Sequence, residues 1–195
     1  MVVGIFIGKF QPFHKQHLET ILKLSNKTDL VLVIPTYLQK NEKEILSPKN
    51  PIPINYRYKY ISSILENYID HRKYYILPIN VLNKKLLIKF LNILKSTGEK
   101  EFLIYTRDLD RFLAYKIVSL IARLYSLHIN VYYEKKTNIL NSSYIRKAII
   151  EEDYDKIKSF LPKELDKKTI MYIKYYKKYH KDLDNVLRHL ISFLI

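Results

Sequence analysis

Gly4-Ile5-Phe6-Ile7-Gly8-Lys9-Phe10-Gln11-Pro12-Phe13-His14-Lys15-Gln16-His17 holds two of the three glycines in this chain of 195 residues. The β-branched and aromatic run from Val2 to Ile7 reads as a buried strand. Gly8 ends it, a residue that lets the backbone turn or approach a ligand closely, and Pro12 punctuates the loop that follows. Leu18, Ile21 and Leu22 then recur at helical spacing, so the two histidines fall where a helix begins.

His14 and His17 are three apart, which puts them on one side of a first helical turn. The backbone N–H groups there have no intrahelical partner, and the helix dipole is positive at that end. Such a terminus attracts phosphate. Two imidazoles, with Lys9 nearby, suit a triphosphate and its departing pyrophosphate. An isolated His-x-x-His pair is commonly no more than a helix start; the strand before it and the motif further along give this pair its meaning. A metal site is not expected, because the chain has no Cys and the loop has neither Asp nor Glu.

The segment Gly8-Lys9-Phe10-Gln11-Pro12-Phe13-His14-Lys15-Gln16-His17 resembles the G-R-F-Q-P-F-H-x-G-H motif of the H-x-G-H nucleotidyltransferases, in particular their archaeal nicotinamide mononucleotide (NMN) adenylyltransferase branch. Two positions differ. Lys9 keeps the charge of the family's arginine without its planar fork, and Gln16 puts a side chain where the family has glycine. Leu140-Asn141-Ser142-Ser143-Tyr144-Ile145-Arg146 is similar to the family's second motif, I-S-S/G-T-x-I-R, at the start of a late helix. Ser142 and Ser143 are good N-cap residues, and the resemblance gives Arg146 a contact with the ATP phosphates, where charge builds during transfer.

The resemblance implies His14, His17, Lys9 and Arg146 as the catalytic set, with Gly8, Phe10, Gln11, Ser142 and Ser143 binding nucleotide. Asn50-Pro51 followed by Arg57 is similar to the archaeal N-P-F-T-A-G-E-R, which adds Arg57 to the nucleotide contacts, and Gln39-Lys40 resembles part of S-A-Q-K/E-S-H. Further on the pattern stops. Ungapped alignment puts the family's acidic residue, asparagine and tryptophan on Val81, Lys85 and Ile88, and the chain has no Trp. A tyrosine or phenylalanine can stack on a pyridine ring instead.

Hydrophobic periodicity gives strands near 2–7, 30–35, 74–79, 101–106 and 129–133, and helices near 15–25, 54–68, 84–94 and 109–124. Alternation of this kind predicts an α/β fold, a Rossmann-like, doubly wound, parallel five-stranded sheet with helices on both faces and a C-terminal helical extension. Ligand then sits at the strand C-terminal ends, near the switch in strand order, where His14 and 142–146 converge. The domain is expected to span 1–162, with 163–195 as an extension packed on the core or at a subunit interface. There Tyr172, Tyr175, Tyr176 and Tyr179 alternate with lysines, a pattern that reads as tyrosines packed on the sheet in preference to a single-stranded nucleic-acid surface. Leu183, Val186, Leu187, Leu190, Ile191 and Leu194 form a second apolar stripe.

A net charge of +15, from 34 Lys plus Arg against 19 Asp plus Glu, attracts polyanions without choosing among them. Absence of Cys excludes disulfides and thiol catalysis and fits a reducing compartment. With no long apolar run and no signal-peptide pattern, the expected place is the cytoplasm, away from membrane. The expected reaction joins NMN to ATP, giving NAD and pyrophosphate by in-line attack at the α-phosphate, with Mg2+ entering on ATP. A mononucleotide acceptor is the expected partner and a homo-oligomer the expected state. The alternatives are a different phosphorylated acceptor, or a weakened relative that binds nucleotide or RNA.

Overall fold

The computed structural model describes residues 1–47, 49–83, 85–135, 142–160 and 170–175. The opening apolar run forms β1 (Val2–Gly8), and α1 (Lys15–Ser25) follows the loop. β2 (Leu30–Tyr37) leads into a small hairpin of β3 (Gln39–Lys40) and β4 (Lys43–Glu44), which the periodicity did not reveal. Its turn residues Asn41 and Glu42 both take positive φ, +47° and +63°, with no glycine to announce them. Then come α2 (Ile54–Leu65), β5 (Tyr74–Ile76), β6 (Ile79–Asn80) and α3 (Leu86–Ser96). β7 (Glu101–Thr106), α4 (Leu109–Arg123), β8 (His128–Tyr133), α5 (Ser142–Ile150) and α6 (Tyr154–Phe160) complete the named elements.

β5-β2-β1-β7-β8 is the strand order, parallel throughout. The strand expected over 74–79 is divided. Leu77 still donates to the Val33 carbonyl at 2.9 Å, but Pro78 has no N–H to give, and pairing with β2 resumes at Ile79 as β6. α2, expected to run to Tyr68, ends at Leu65 in a pair of turns.

Two apolar layers enclose the sheet. Leu18, Ile21 and Leu24 of α1 and Tyr60, Ile61, Ile64 and Leu65 of α2 pack with Phe6, Val31 and Val33 on one face. Phe90, Leu91 and Leu94 of α3 and Ala122 of α4 pack with Val3, Ile5, Leu32, Ile34, Ile104 and Ile129 on the other. Alternate residues of β1 and β2 therefore serve opposite layers, the doubly wound arrangement. Each fully buried large aliphatic side chain contributes about 1.5–3 kcal/mol, enough that a register slip in either strand is heavily disfavoured.

A third cluster lies off the sheet. Ile145, Ala148 and Ile149 of α5, Ile157 of α6 and Ile173 of the helical residues 170–175 pack with Ile52 and Tyr56. Here the tyrosine expectation needs correction: Ile173 is the buried residue, Tyr172 sits beside Tyr56 (ring centroids 5.3 Å), and Tyr175 is exposed. This part of the extension covers α5 and α6, not the sheet. The boundary expected at 162/163, the remaining tyrosines and the 183–194 stripe lie outside the described residues.

Candidate active site

The chain runs outward from β1 to β2 and β5, then returns to place β7 on the other flank of β1. At this reversal α1 leaves β1 for one face of the sheet and α4 leaves β7 for the other, and a cleft of about 420 Å³ opens between them. Gly8, Lys9, Phe10, Gln11, His14, His17, Ser142, Ser143 and Arg146 all line it. Nine of the ten residues singled out from sequence are thus in one place. Arg57 is not.

Local structure explains how they are held. Phe10 adopts a left-handed φ of +49° and folds its ring against Gly8, where a Cβ would lie 2.7 Å from the ring edge. Gly8 is therefore required by packing beneath the cleft, in addition to bordering it. Phe10 is buried, as is Phe13, and both rings meet His17. This aromatic bed sets the imidazole against the first turn of α1.

His14 is the N-cap of α1, with extended backbone (φ −146°, ψ 173°), and its N–H donates to His17 Nδ1 at 3.3 Å. With Nδ1 accepting, neutral His17 carries its proton on Nε2. The two rings stack at 3.6 Å between centroids. Burial lowers the His14 pKa from 6.5 to about 3, with the Arg107 charge adding to the effect. His17 is held well below its usual value by burial first, then by His14 and Arg111. The pair is consequently neutral at neutral pH: the imidazoles can offer hydrogen bonds to a ligand, while the positive charge in the cleft comes from elsewhere.

α5 supplies part of that charge. Ser142 Oγ donates to the Pro12 carbonyl at 3.2 Å, docking the helix start on the β1–α1 loop. Arg146 donates through Nη1 to the Gln11 carbonyl and through Nη2 to Ser143 Oγ at 3.0 Å. Burial lowers the Arg146 pKa. Lys9 is exposed at the rim.

Gln11 borders the cleft, yet its side-chain amide is engaged below it. Oε1 accepts from the Ile52 N–H at 2.9 Å and Nε2 donates to the Ile52 carbonyl at 3.0 Å. Arg57, expected among the nucleotide contacts, is also committed inward. Only 2% exposed, it donates to the carbonyls of Ile52 (2.9 Å), Lys9 (2.6 Å) and Thr36 (2.8 Å), and meets Glu44 at 3.3 Å. Glu44 in turn accepts from the Ile54 N–H at the start of α2. Burial lowers the Arg57 pKa, opposed by Glu44. With four internal partners, this guanidinium fixes the loop that bears Lys9, and it borders a smaller neighbouring cavity in place of the main cleft.

Other cleft residues escaped sequence reading. Tyr105, Thr106, Arg107 and Asp108 come from the end of β7, Arg111 from α4, and Lys49 from the turn before α2. The Asp108 N–H donates to Thr106 Oγ1 at 3.2 Å, and Arg111 Nε lies 3.5 Å from Asp108. Three buried atoms of cleft residues, His14 Nδ1, Tyr105 Oη and Arg107 Nε, have no hydrogen-bond partner among the described residues. Each such orphan costs about 1–3 kcal/mol, a cost relieved by any ligand or water that bonds it. Polar residues that close the fourth strand of a doubly wound sheet, beside its switch point, were the available signal.

A second space adjoins the cleft. A separate cavity of about 130 Å³ is lined by Lys9, Thr36, Tyr37, Leu38, Ile45 and Val81, among others, so Lys9 borders both spaces. Of the three positions aligned with the family's acceptor residues, Val81 reaches this cavity. Lys85 and Ile88 border a shallow depression on α3 instead.

Among the described residues no group of three or more His, Cys, Asp or Glu is placed to hold a metal ion, and no helix is long and apolar enough to cross a membrane.

Comparison with known proteins agrees with this arrangement. The family described as cytidylyltransferase-like matches residues 5–148. Nicotinamide-nucleotide adenylyltransferase of Methanococcus maripaludis strain C5 is 38% identical over 77 residues, 40% of this chain and 42% of that protein. The enzyme of the same name from Thermoplasma acidophilum is 28% identical over 105 residues, 54% of this chain and 55% of its own length. The chain thus spans about half, or less, of the curated relatives it matches. Among solved structures, a bifunctional NMN adenylyltransferase/ADP ribose pyrophosphatase from Francisella tularensis superposes with a TM-score of 0.68 at 19% identity, over 98% of this chain and 56% of that one. Plasmodium falciparum nicotinic acid mononucleotide adenylyltransferase, complexed with NaAD, gives 0.60 at 19% identity over 92% and 97%. At such identities these structures share the fold.

Proposed function

The chain belongs to the cytidylyltransferase-like family, and from that premise we propose that it is an adenylyltransferase joining ATP to NMN, with release of pyrophosphate. One observation carries the reading: the first turn of α1, with His14 and His17, and the first turn of α5, with Ser143 and Arg146, converge on one cleft at the end of β1. The adenylyltransferase relatives support it.

In this reading a phosphate oxygen of the acceptor attacks the α-phosphorus of ATP, the bond to the bridging oxygen breaks, and pyrophosphate leaves. No protein nucleophile takes part. The His17 Nε2–H donates to a phosphate oxygen, and Lys9 and Arg146 stabilise the β and γ groups as their charge grows. Ser143 adds a hydrogen bond, and Gly8, Phe10 and Gln11 form the floor. Arg107, Arg111 and Lys49 add positive charge from the other walls.

Asp108 is the carboxylate in the cleft, and it faces Arg111. A donor set this sparse fits Mg2+ entering on ATP, held mainly by phosphate and water. The metal supplies charge neutralisation on the phosphates. Acceptor would enter beside Lys9, where Tyr37 offers a face for the pyridine ring. The cysteine-free composition supports a cytoplasmic setting.

Pyrophosphate release with ATP and Mg2+ tests the proposal, run with NMN, nicotinate mononucleotide, FMN, phosphopantetheine and no acceptor. Release dependent on NMN is expected. A second reading, another phosphorylated acceptor, draws on Lys85 and Ile88 facing away from the cavity, and release only with FMN or phosphopantetheine would favour it. ATP binding without release under any condition would favour a nucleotide-binding relative instead.

A further inference from the structure

α4 is the least buried of the helices that cover the sheet. Its inward face is Tyr115, Val118 and Ala122. Directly opposite, Leu109, Leu113, Ile117, Leu120 and the following Leu124 form a continuous stripe whose members expose 56–85% of their surface. Their spacing of four, four, three and four residues is a seam pattern, apolar along one line of a helix. Together they expose on the order of 500 Å² of apolar surface, at the upper end of what a monomer leaves uncovered.

We infer that this stripe is the contact between two copies of the chain, packed antiparallel about a twofold axis near residues 116 and 117. Three observations select a second copy. First, the pattern reads nearly the same in both directions: Leu109 falls opposite the other copy's Leu124, and Leu113 opposite its Leu120, as an isologous interface requires. Second, pairing two stripes buries roughly 1,000 Å² in total, the threshold for a specific interface. Third, the charges beside the seam are compatible. The two copies of Asp110 stand about 20 Å apart, at 1.5 Å per residue along an antiparallel pair, and each lies at the end of the seam where the other copy's Arg123 lies. Lys116, the cation beside the middle of the stripe, is turned back over the Phe112 ring at 5.5 Å. The described C-terminal residues pack beside Ile52 and Tyr56 near α2, whereas α4 covers the opposite face of the sheet.

The inference is independent of the reaction proposed above. Light scattering on the full chain should give twice the 23.5 kDa chain mass, and Leu113→Glu/Leu120→Glu should return it to one chain mass. Both side chains are exposed, so circular dichroism and the thermal midpoint should change little. Because the chain has no cysteine, Ile117→Cys introduces a single thiol beside the axis. A short bifunctional thiol reagent should link it into a covalent dimer, while Ser96→Cys on α3 should stay unlinked. A wild-type chain that runs at monomer mass overturns the inference and points to another occupant, from this chain or a different protein. A dimer that survives the double substitution, or one in which the Ile117→Cys variant does not link, overturns it in favour of another face.

Discussion

The two halves of the proposed site, one for phosphate and one for the acceptor, are built from different kinds of information. His14, His17, Ser143 and Arg146 act from the first turns of two helices, where backbone geometry dictates which residue types are useful, and short motifs therefore carry the site. The cavity beside Lys9 is lined instead by side chains from β2, the hairpin loops and the turn after β6. No common backbone feature constrains their types, and a stacking surface can be supplied by any aromatic residue from several places. A triphosphate site is written in the sequence as a motif; a base site emerges only from the fold.

His17→Ala is the largest lever on the first half. Loss of its hydrogen bond to phosphate should lower turnover by about a hundredfold or more, with circular dichroism unchanged. Near-wild-type turnover in the folded variant would remove the histidines from the chemistry.

Next comes a contrast between two arginines. Arg57→Ala strips a buried pair, takes a donor from the Lys9, Thr36 and Ile52 carbonyls and leaves Glu44 with the Ile54 N–H, so denaturant titration should show a loss of about 3–5 kcal/mol. Arg146→Ala should lower turnover severalfold to tenfold or more while stability changes little. If Arg57→Ala spared stability and abolished ATP binding, its assignment as a structural residue would be reversed.

On the acceptor side, Tyr37→Ala should raise the KM for NMN about tenfold by loss of a stacking contact, and leave that for ATP nearly unchanged. Equal effects on both substrates would mean that the two halves are not separable.

The last effect appears only below neutral pH. His14 titrates at about 3 in the folded chain against 6.5 in the unfolded one. Between these values the unfolded chain binds a proton that the folded chain does not, so stability rises with pH there and is lost as pH falls from about 6.5 towards 3. His14→Asn should flatten that part of the denaturant-midpoint profile. An unchanged profile would show that the imidazole is not held neutral.

Much of the fold was legible. Five runs became the five positions of the sheet: burial on both faces leaves the central β1 and β2 little choice but continuous apolar sequence, while β8 at the edge alternates exposed with less exposed residues. Pro78 divided one of them, and the hairpin at 39–44 was invisible because Asn41 and Glu42 take positive φ without glycine. Of the site, the motif residues were found in their places. Arg107 and Arg111 were not, since nothing about an arginine after a strand distinguishes a cleft from a solvated loop until strand order puts β7 beside β1. Arg57 was found for its position, but its four internal partners were not, because a motif gives the place of a guanidinium and only the fold shows what surrounds it.

That guanidinium has a wider consequence. It joins carbonyls from the β1–α1 loop, the end of β2 and the entrance to α2, and through Glu44 it includes the hairpin. For the wall bearing Lys9 to swing open alone, several hydrogen bonds far apart in sequence must break together. Its backbone amides should therefore exchange with solvent as slowly as those of the sheet.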